Sequence, residues 1–244
     1  DRVVRRGGQR QYGGEEGVGA VIRGCREVRW GHRWESLLHG MTDKPDIPRK
    51  TVYRLSIYQR CLRRLKENRV ETVSSEALAK AAGVTPSQLR KDLASFGNFG
   101  TRGLGYNVEA LSGTIGETLG TTRLQPVILV GVGNLGSALL RYHGFNKEGF
   151  EIVGAFDGEV GKTHPTVKVY PMGELEGFVS ANGVKLAILA VPASVAQQVC
   201  NELVAAGVQA VLNFAPVVLE VPEQVVVNNV DLAVELENLS YFIR

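Results

Sequence analysis

The chain is poor in the residues that build metal centres, disulfide frameworks and membrane spans. Its 244 residues include three cysteines, Cys25, Cys61 and Cys200, which are far apart and show no Cys-x-x-Cys or Cys/His spacing. Free thiols and no metal are expected. Histidine is also scarce. In the second half it occurs only as His143 and His164, and neither is set beside a carboxylate in a catalytic arrangement, so no catalytic residue is expected. No apolar run approaches the roughly 20 residues of a membrane span. Arg5-Arg6 runs into Gly7-Gly8-Gln9-Arg10 where a secretion signal needs apolar residues. These absences predict a cytoplasmic protein without a membrane partner.

What is present suits two unequal globular domains, with 44% apolar and 22% charged residues. Net charge is only +3, but the sign changes along the chain. Residues 45–112 hold 12 Lys+Arg against 6 Asp+Glu, whereas residues 113–244 hold 7 against 13. A basic first domain predicts a polyanionic partner that the second half does not share. Residues 1–44, rich in Gly and Arg without sustained apolar periodicity, read as a disordered extension.

Residues 45–119 carry a helical pattern. Val52, Leu55, Ile57, Tyr58, Leu62 and Leu65 form one stripe, a first helix. Ser74 is placed to cap a second helix over 75–82, with Glu76 in its first turn and Gly83 at its end. Thr85-Pro86-Ser87-Gln88 reads as a capping box opening a third helix that runs to about Phe96. Ser87, Gln88, Arg90 and Lys91 then make a polar face suited to the major groove of DNA. The glycine-rich run 97–106 reads as a wing, with Arg102 at its tip reaching for a minor groove. A solvated charged helix followed by an ordinary loop is the plainer alternative.

Residues 120–230 alternate Val/Ile-rich runs (127–130, 152–156, 186–191, 210–213, 224–228) with helical stretches such as 137–143 and 194–206, a doubly wound parallel α/β sheet. The first run leads into Gly131-Val132-Gly133-Asn134-Leu135-Gly136, and Asp157 ends the next run 21 residues beyond Gly136. In that context the glycines predict a pyrophosphate cradle and the carboxylate a ribose contact, hence NAD(H); NADP would call for an arginine there. Val191 and Pro192 are counted with the cofactor contacts. Residues 231–244 suit a terminal helix with a broad apolar face that could pack on a partner subunit.

Taken together, the two halves resemble the Rex family of redox-sensing repressors from about Ile47 onward. The likeness is carried by Val73-Ser74-Ser75-Glu76, Leu89-Arg90-Lys91-Asp92-Leu93, Gly103-Leu104-Gly105-Tyr106, Tyr142-His143-Gly144-Phe145, Leu212-Asn213-Phe214-Ala215-Pro216 and Asn229-Val230-Asp231. The resemblance implies a winged helix-turn-helix, a Rossmann domain and a C-terminal helix exchanged between the subunits of a homodimer. It also implies pseudo-palindromic operator DNA as partner, released when NADH rather than NAD⁺ binds. A Tyr, an Asp and an Arg linked near the nicotinamide in the family match Tyr142, Asp231 and Arg60; Leu232 stands where the family often has an aromatic. The competing readings are an NAD-dependent dehydrogenase and a nucleotide-binding regulator that does not touch DNA.

Overall fold

The computed structural model describes residues 47–97, 99–101, 104–159 and 161–243. The extension expected over residues 1–44 and the wing-tip Arg102 lie outside the described residues. Pro48–Arg244 forms one compact unit around three clusters of buried apolar side chains.

The first cluster belongs to the helical segment. Helix α1 (Arg49–Glu67) buries Leu55, Tyr58 and Leu62 on one stripe. Val52, counted in the expected stripe, is 38% exposed because the stripe begins a turn later. Strand β1 (Thr72–Val73) precedes α2 (Ser75–Ala82), whose cap is Ser74 Oγ accepting from Ala77 N. Helix α3 (Pro86–Ala94) is capped by Thr85 and stops two residues short of the expected Phe96. Strands β2 (Gly100–Thr101) and β3 (Gly105–Asn107) form the wing, and β3 also pairs with β1, both antiparallel. Helix α4 (Val108–Leu119) closes the segment by laying Val108, Leu111 and Ile115 on α1's leucines. Each fully buried leucine of this kind contributes about 1.5–3 kcal/mol relative to exposure.

The rest is a six-stranded parallel sheet: β4 (Gln125–Val130), β5 (Phe150–Asp157), β6 (Val169–Pro171), β7 (Leu186–Leu189), β8 (Ala210–Asn213) and β9 (Val226–Asn229), in the order β6-β5-β4-β7-β8-β9. Central β4 is buried over Val127–Val130 because its two faces feed two cores. Ile128 and Val130 join the cluster under α7 (Leu175–Ala181) and α8 (Ala193–Ala205), while Val127 and Leu129 join Leu140 of α5 (Asn134–Leu140). Helix α5 starts three residues before the expected 137 because Asn134-Leu135-Gly136 already form its first turn. The short α6 (Gly144–Lys147) leads into β5. The edge strand β6 and helix α7 were not foreseen from the sequence. The last helix, α9 (Leu232–Tyr241), is capped by Asp231 and buries no residue.

Candidate functional site

The sheet winds away from β4 in both directions, so the carboxyl ends of β4 and β7 border the crevice where doubly wound folds bind ligands. Gly131 stands there at φ +98, its N–H donating to Phe156 O at 2.8 Å. A Cβ on Gly131 would run into Ala190 O and come within 2.8 Å of Val191 Cγ1, and one on Gly136 would collide with Gly131 O. Those two glycines let strand, helix and neighbouring strand meet. Gly133 differs: nothing lies within 4 Å of the position its Cβ would take, and Asn134 and Leu135 beside it are exposed. The loop therefore turns an open backbone surface outward, as a pyrophosphate requires.

Asp157, at the end of β5, fixes this loop. Its Oδ2 accepts from Val132 N at 2.7 Å and its Oδ1 from Glu159 N at 2.9 Å, with Lys162 Nζ 3.4 Å away. Burial pushes the carboxyl up, but the Glu159 and Val132 N–H groups and then Lys162 outweigh it, so Asp157 is held below the ordinary value and stays charged. Val191 is half-buried against Gly131, and Pro192 opens α8. The expected cofactor residues thus gather at one crevice, apart from Tyr142 and Asp231.

Tyr142 lies beyond α5, 60% exposed. Its ring meets Phe145 edge-on at 5.0 Å and lies so close over Gly144 that a Cβ there would collide with it. Together with Arg60 it lines a cavity of about 340 Å³ on the α5 face of the sheet, floored by Ile152, Ile188 and Leu212. Arg60 is 65% exposed, its Nε 3.7 Å from Glu148 Oε2. Asp231 caps α9, accepting from Ala233 N at 2.9 Å and Val234 N at 3.3 Å. Among the described contacts of a single chain, Arg60, Tyr142 and Asp231 are not joined to one another.

On α3, Ser87, Arg90 and Lys91 are exposed. Arg90 Nη1 donates to Ser75 Oγ at 3.0 Å, which orients it across the start of α2. Gln88 behaves otherwise than expected. Thr85 Oγ1 accepts from Gln88 N at 3.2 Å, but the Gln88 side chain donates to Asp92 Oδ1 at 2.9 Å, so the reciprocal half of the capping box is replaced. Asp92, 3% exposed, is the hub that sequence reasoning missed. It also accepts two bonds from Arg54, at 2.6 and 2.7 Å, and one from Tyr58 Oη at 2.8 Å. Burial raises the Asp92 carboxyl, yet Arg54, Tyr58 and Gln88 together bring it below its ordinary value. Burial, and then the Asp92 carboxylate, push the Tyr58 phenol up. A carboxylate between Leu89 and Leu93 on a buried helix face was the available signal, since such a charge needs partners.

Two family models match the chain: "Putative DNA-binding protein N-terminus" over residues 46–94 and "CoA binding domain" over residues 122–217. The redox-sensing transcriptional repressor Rex of Pelotomaculum thermopropionicum is 48% identical over 198 residues, covering 80% of this chain and 93% of the relative. This chain belongs to the Rex family. The Rex repressor of Streptomyces coelicolor is 50% identical over 80% of this chain and 77% of its own length. Among solved structures, RSP in complex with β-NAD⁺ and operator DNA matches with a TM-score of 0.76 at 38% identity, covering 82% of this chain and 94% of that one. RSP in complex with β-NADH matches with a TM-score of 0.72 at 36% identity, covering 82% and 95%. Rex relatives are repressors, so the chain is a regulator and not an enzyme, and the dehydrogenase alternative falls. Among the described residues no group of three or more His, Cys, Asp or Glu could hold a metal ion, and no helix is long and apolar enough to cross a membrane.

Proposed function

We propose that this chain represses transcription as a homodimer on pseudo-palindromic operator DNA, reads the NADH/NAD⁺ ratio, and leaves the operator when NADH binds. The observation that carries the reading is the Asp157-braced glycine loop at the β4–β7 crevice, on the same chain as a helix with an exposed basic face. Residues 45–119 form the DNA-binding domain, 120–230 the nucleotide domain and 231–244 the dimerising helix. Gly131, Val132, Gly133, Asn134, Leu135 and Gly136 hold the pyrophosphate of NAD(H) while Asp157 takes the adenosine ribose, and its charge disfavours a 2′-phosphate. Ser87, Arg90, Lys91 and the wing's Arg102 approach the DNA. Gln88 does so only by leaving Asp92.

The dimer rests on α9 and the residue that ends it, where Leu232, Val234, Leu236, Leu239 and Phe242 are all at least 47% exposed. A second copy of the chain covers that face and brings Asp231 of the partner subunit to Arg60 and Tyr142. Oxidised nicotinamide is cationic and dihydronicotinamide neutral, so a carboxylate beside the ring favours NAD⁺ and an arginine opposes it. Such a repressor works where DNA and the nicotinamide pool meet, in the cytoplasm.

Fluorescence anisotropy on a pool of palindromic duplexes, titrated separately with NADH and NAD⁺ at fixed salt, tests this. Release by NADH at concentrations where NAD⁺ has little effect is the expected result. DNA binding without a nucleotide response would overturn redox sensing, and nucleotide binding without any DNA binding would leave a regulator of another kind.

A further inference from the structure

The turn that ends α6 ties together parts of the molecule that the switch must move. Arg63 Nη1 donates to Lys147 O and to Glu148 Oε2, the latter at 2.8 Å, and the same carboxylate oxygen lies 3.7 Å from Arg60 Nε. The next residue, Gly149, accepts Gln125 N at 2.8 Å, and a Cβ on it would press within 2.9 Å of Thr121 O. The turn therefore grips both α1 and the segment that connects α4 to β4. At the other end of α6, whose four residues span only about 6 Å, Tyr142 packs on Gly144 and Phe145.

Helix α1 continues from this grip to the DNA-facing helix. Arg60 and Arg63 are three residues apart and share a face. Back along the same rod, about 14 Å from Arg63 in the case of Arg54 and about 8 Å in the case of Tyr58, those two residues hold Asp92 of α3. The two arginines are held differently: Arg63 has two acceptors and a side chain 24% exposed, whereas Arg60 has one longer pairing and is 65% exposed. Arg63 is the anchor, and Arg60 is free to change partner.

We propose that Glu148 is a positioning residue of the redox switch: it takes Arg60 when Asp231 of the partner subunit is engaged by oxidised nicotinamide, and yields it when the ring is reduced and neutral. Glu148 thereby holds α1, and through it α3, in the DNA-binding arrangement. The inference rests on the proposed pairing of Arg60 with that Asp231 and adds the competitor within the same chain.

The test uses the full chain with Glu148→Gln, which removes the charge and keeps the shape. The NADH concentration for half-release of the duplex should fall by about three- to tenfold, the scale of one or two partly exposed ion pairs, and the ratio of NADH to NAD⁺ affinity should rise, with the melting temperature little changed. Arg63→Gln should shift half-release in the same direction, and the double variant should add little to either. A lowered melting temperature with half-release and affinity ratio unmoved would make Glu148 merely structural and overturn the proposal. Should Glu148→Gln not fold, an unaltered half-release in Arg63→Gln would overturn it equally. If the unaltered chain is released by NADH and both variants match it, the inference fails and the sensor reading stands; if the unaltered chain does not respond to NADH, both fall.

Discussion

The helical segment and the parallel sheet solve the same problem, holding a polar site on an apolar core, by opposite means. In the helical segment, order depends on charge. Arg54, Tyr58 and Gln88 converge on the buried Asp92, and that cluster fixes the angle between α1 and α3. In the sheet, order depends on shape. The core under β4 and β7 is aliphatic and aromatic, and the glycine loop that Asp157 braces fits against its neighbours only because Gly131 and Gly136 carry no Cβ. One half should thus be sensitive to neutralising a charge and the other to adding a methyl group.

The largest expected effect comes from adding that methyl. Gly136→Ala drives a Cβ into the Gly131 carbonyl, and with backbone on both sides neither can yield cheaply. We expect a loss of about 3 kcal/mol or more in unfolding free energy and no measurable nucleotide affinity by calorimetry. Gly133→Ala is the control that sharpens the contrast. Its Cβ points into open space, so thermal stability should hold while nucleotide affinity drops, the methyl occupying the pyrophosphate's place. Equal melting losses in the two variants would break the argument from shape.

Next comes Asp92→Asn, which leaves Arg54 and Tyr58 facing a neutral amide. A loss of about 2–4 kcal/mol is expected from denaturant unfolding, with weakened DNA binding and unchanged nucleotide affinity per folded molecule. The pH dependence has a definite sign. Because the folded carboxyl lies below its ordinary value of 3.8, its stabilisation is fully present above that value and is lost as pH falls through the folded pKa. The gap between the unaltered chain and Asp92→Asn should therefore close only in strong acid. A gap that persists there would mean that packing, and not charge, holds α3.

The smallest effect is that of Thr85→Ala, which removes the acceptor for Gln88 N at the start of α3. About 1 kcal/mol of stability is expected to go, together with a few-fold loss of operator affinity. An equal loss of nucleotide affinity would show that the two regions are less separable than their cores suggest.

What was legible in the sequence was local. The Ser74 and Thr85 caps and the strand at Ala210–Asn213 follow from neighbours in the chain, and the structure has them there; Asp157 was read from motif spacing as a ribose contact, and its bond to Val132 N, 25 residues away, was not foreseen. The Arg54–Asp92 cluster joins residues 38 positions apart, so no window on α3 alone reveals it. Gln88 satisfied a local pattern while its side chain obeyed a tertiary one. Strand β6 spans only Val169–Pro171, too short for periodicity to register, and α7 buries just Leu175 and Val179. Glu148, in a Lys-Glu-Gly turn, looks like any solvated acid until α1 is folded over it.

In the proposed dimer, the bare face of α9 gives this chain a dependence on its own abundance. A C-terminal segment that leaves Leu236, Leu239, Tyr241, Phe242 and Ile243 between 63% and 85% exposed gains, beyond its Asp231 cap, stability from whatever covers it, by mass action. Dilution should lower the melting temperature, and scarcity in the cell should weaken the protein twice over, through fewer copies and through less durable ones. The threshold for control would then be set by the level of synthesis as well as by the nucleotide pool.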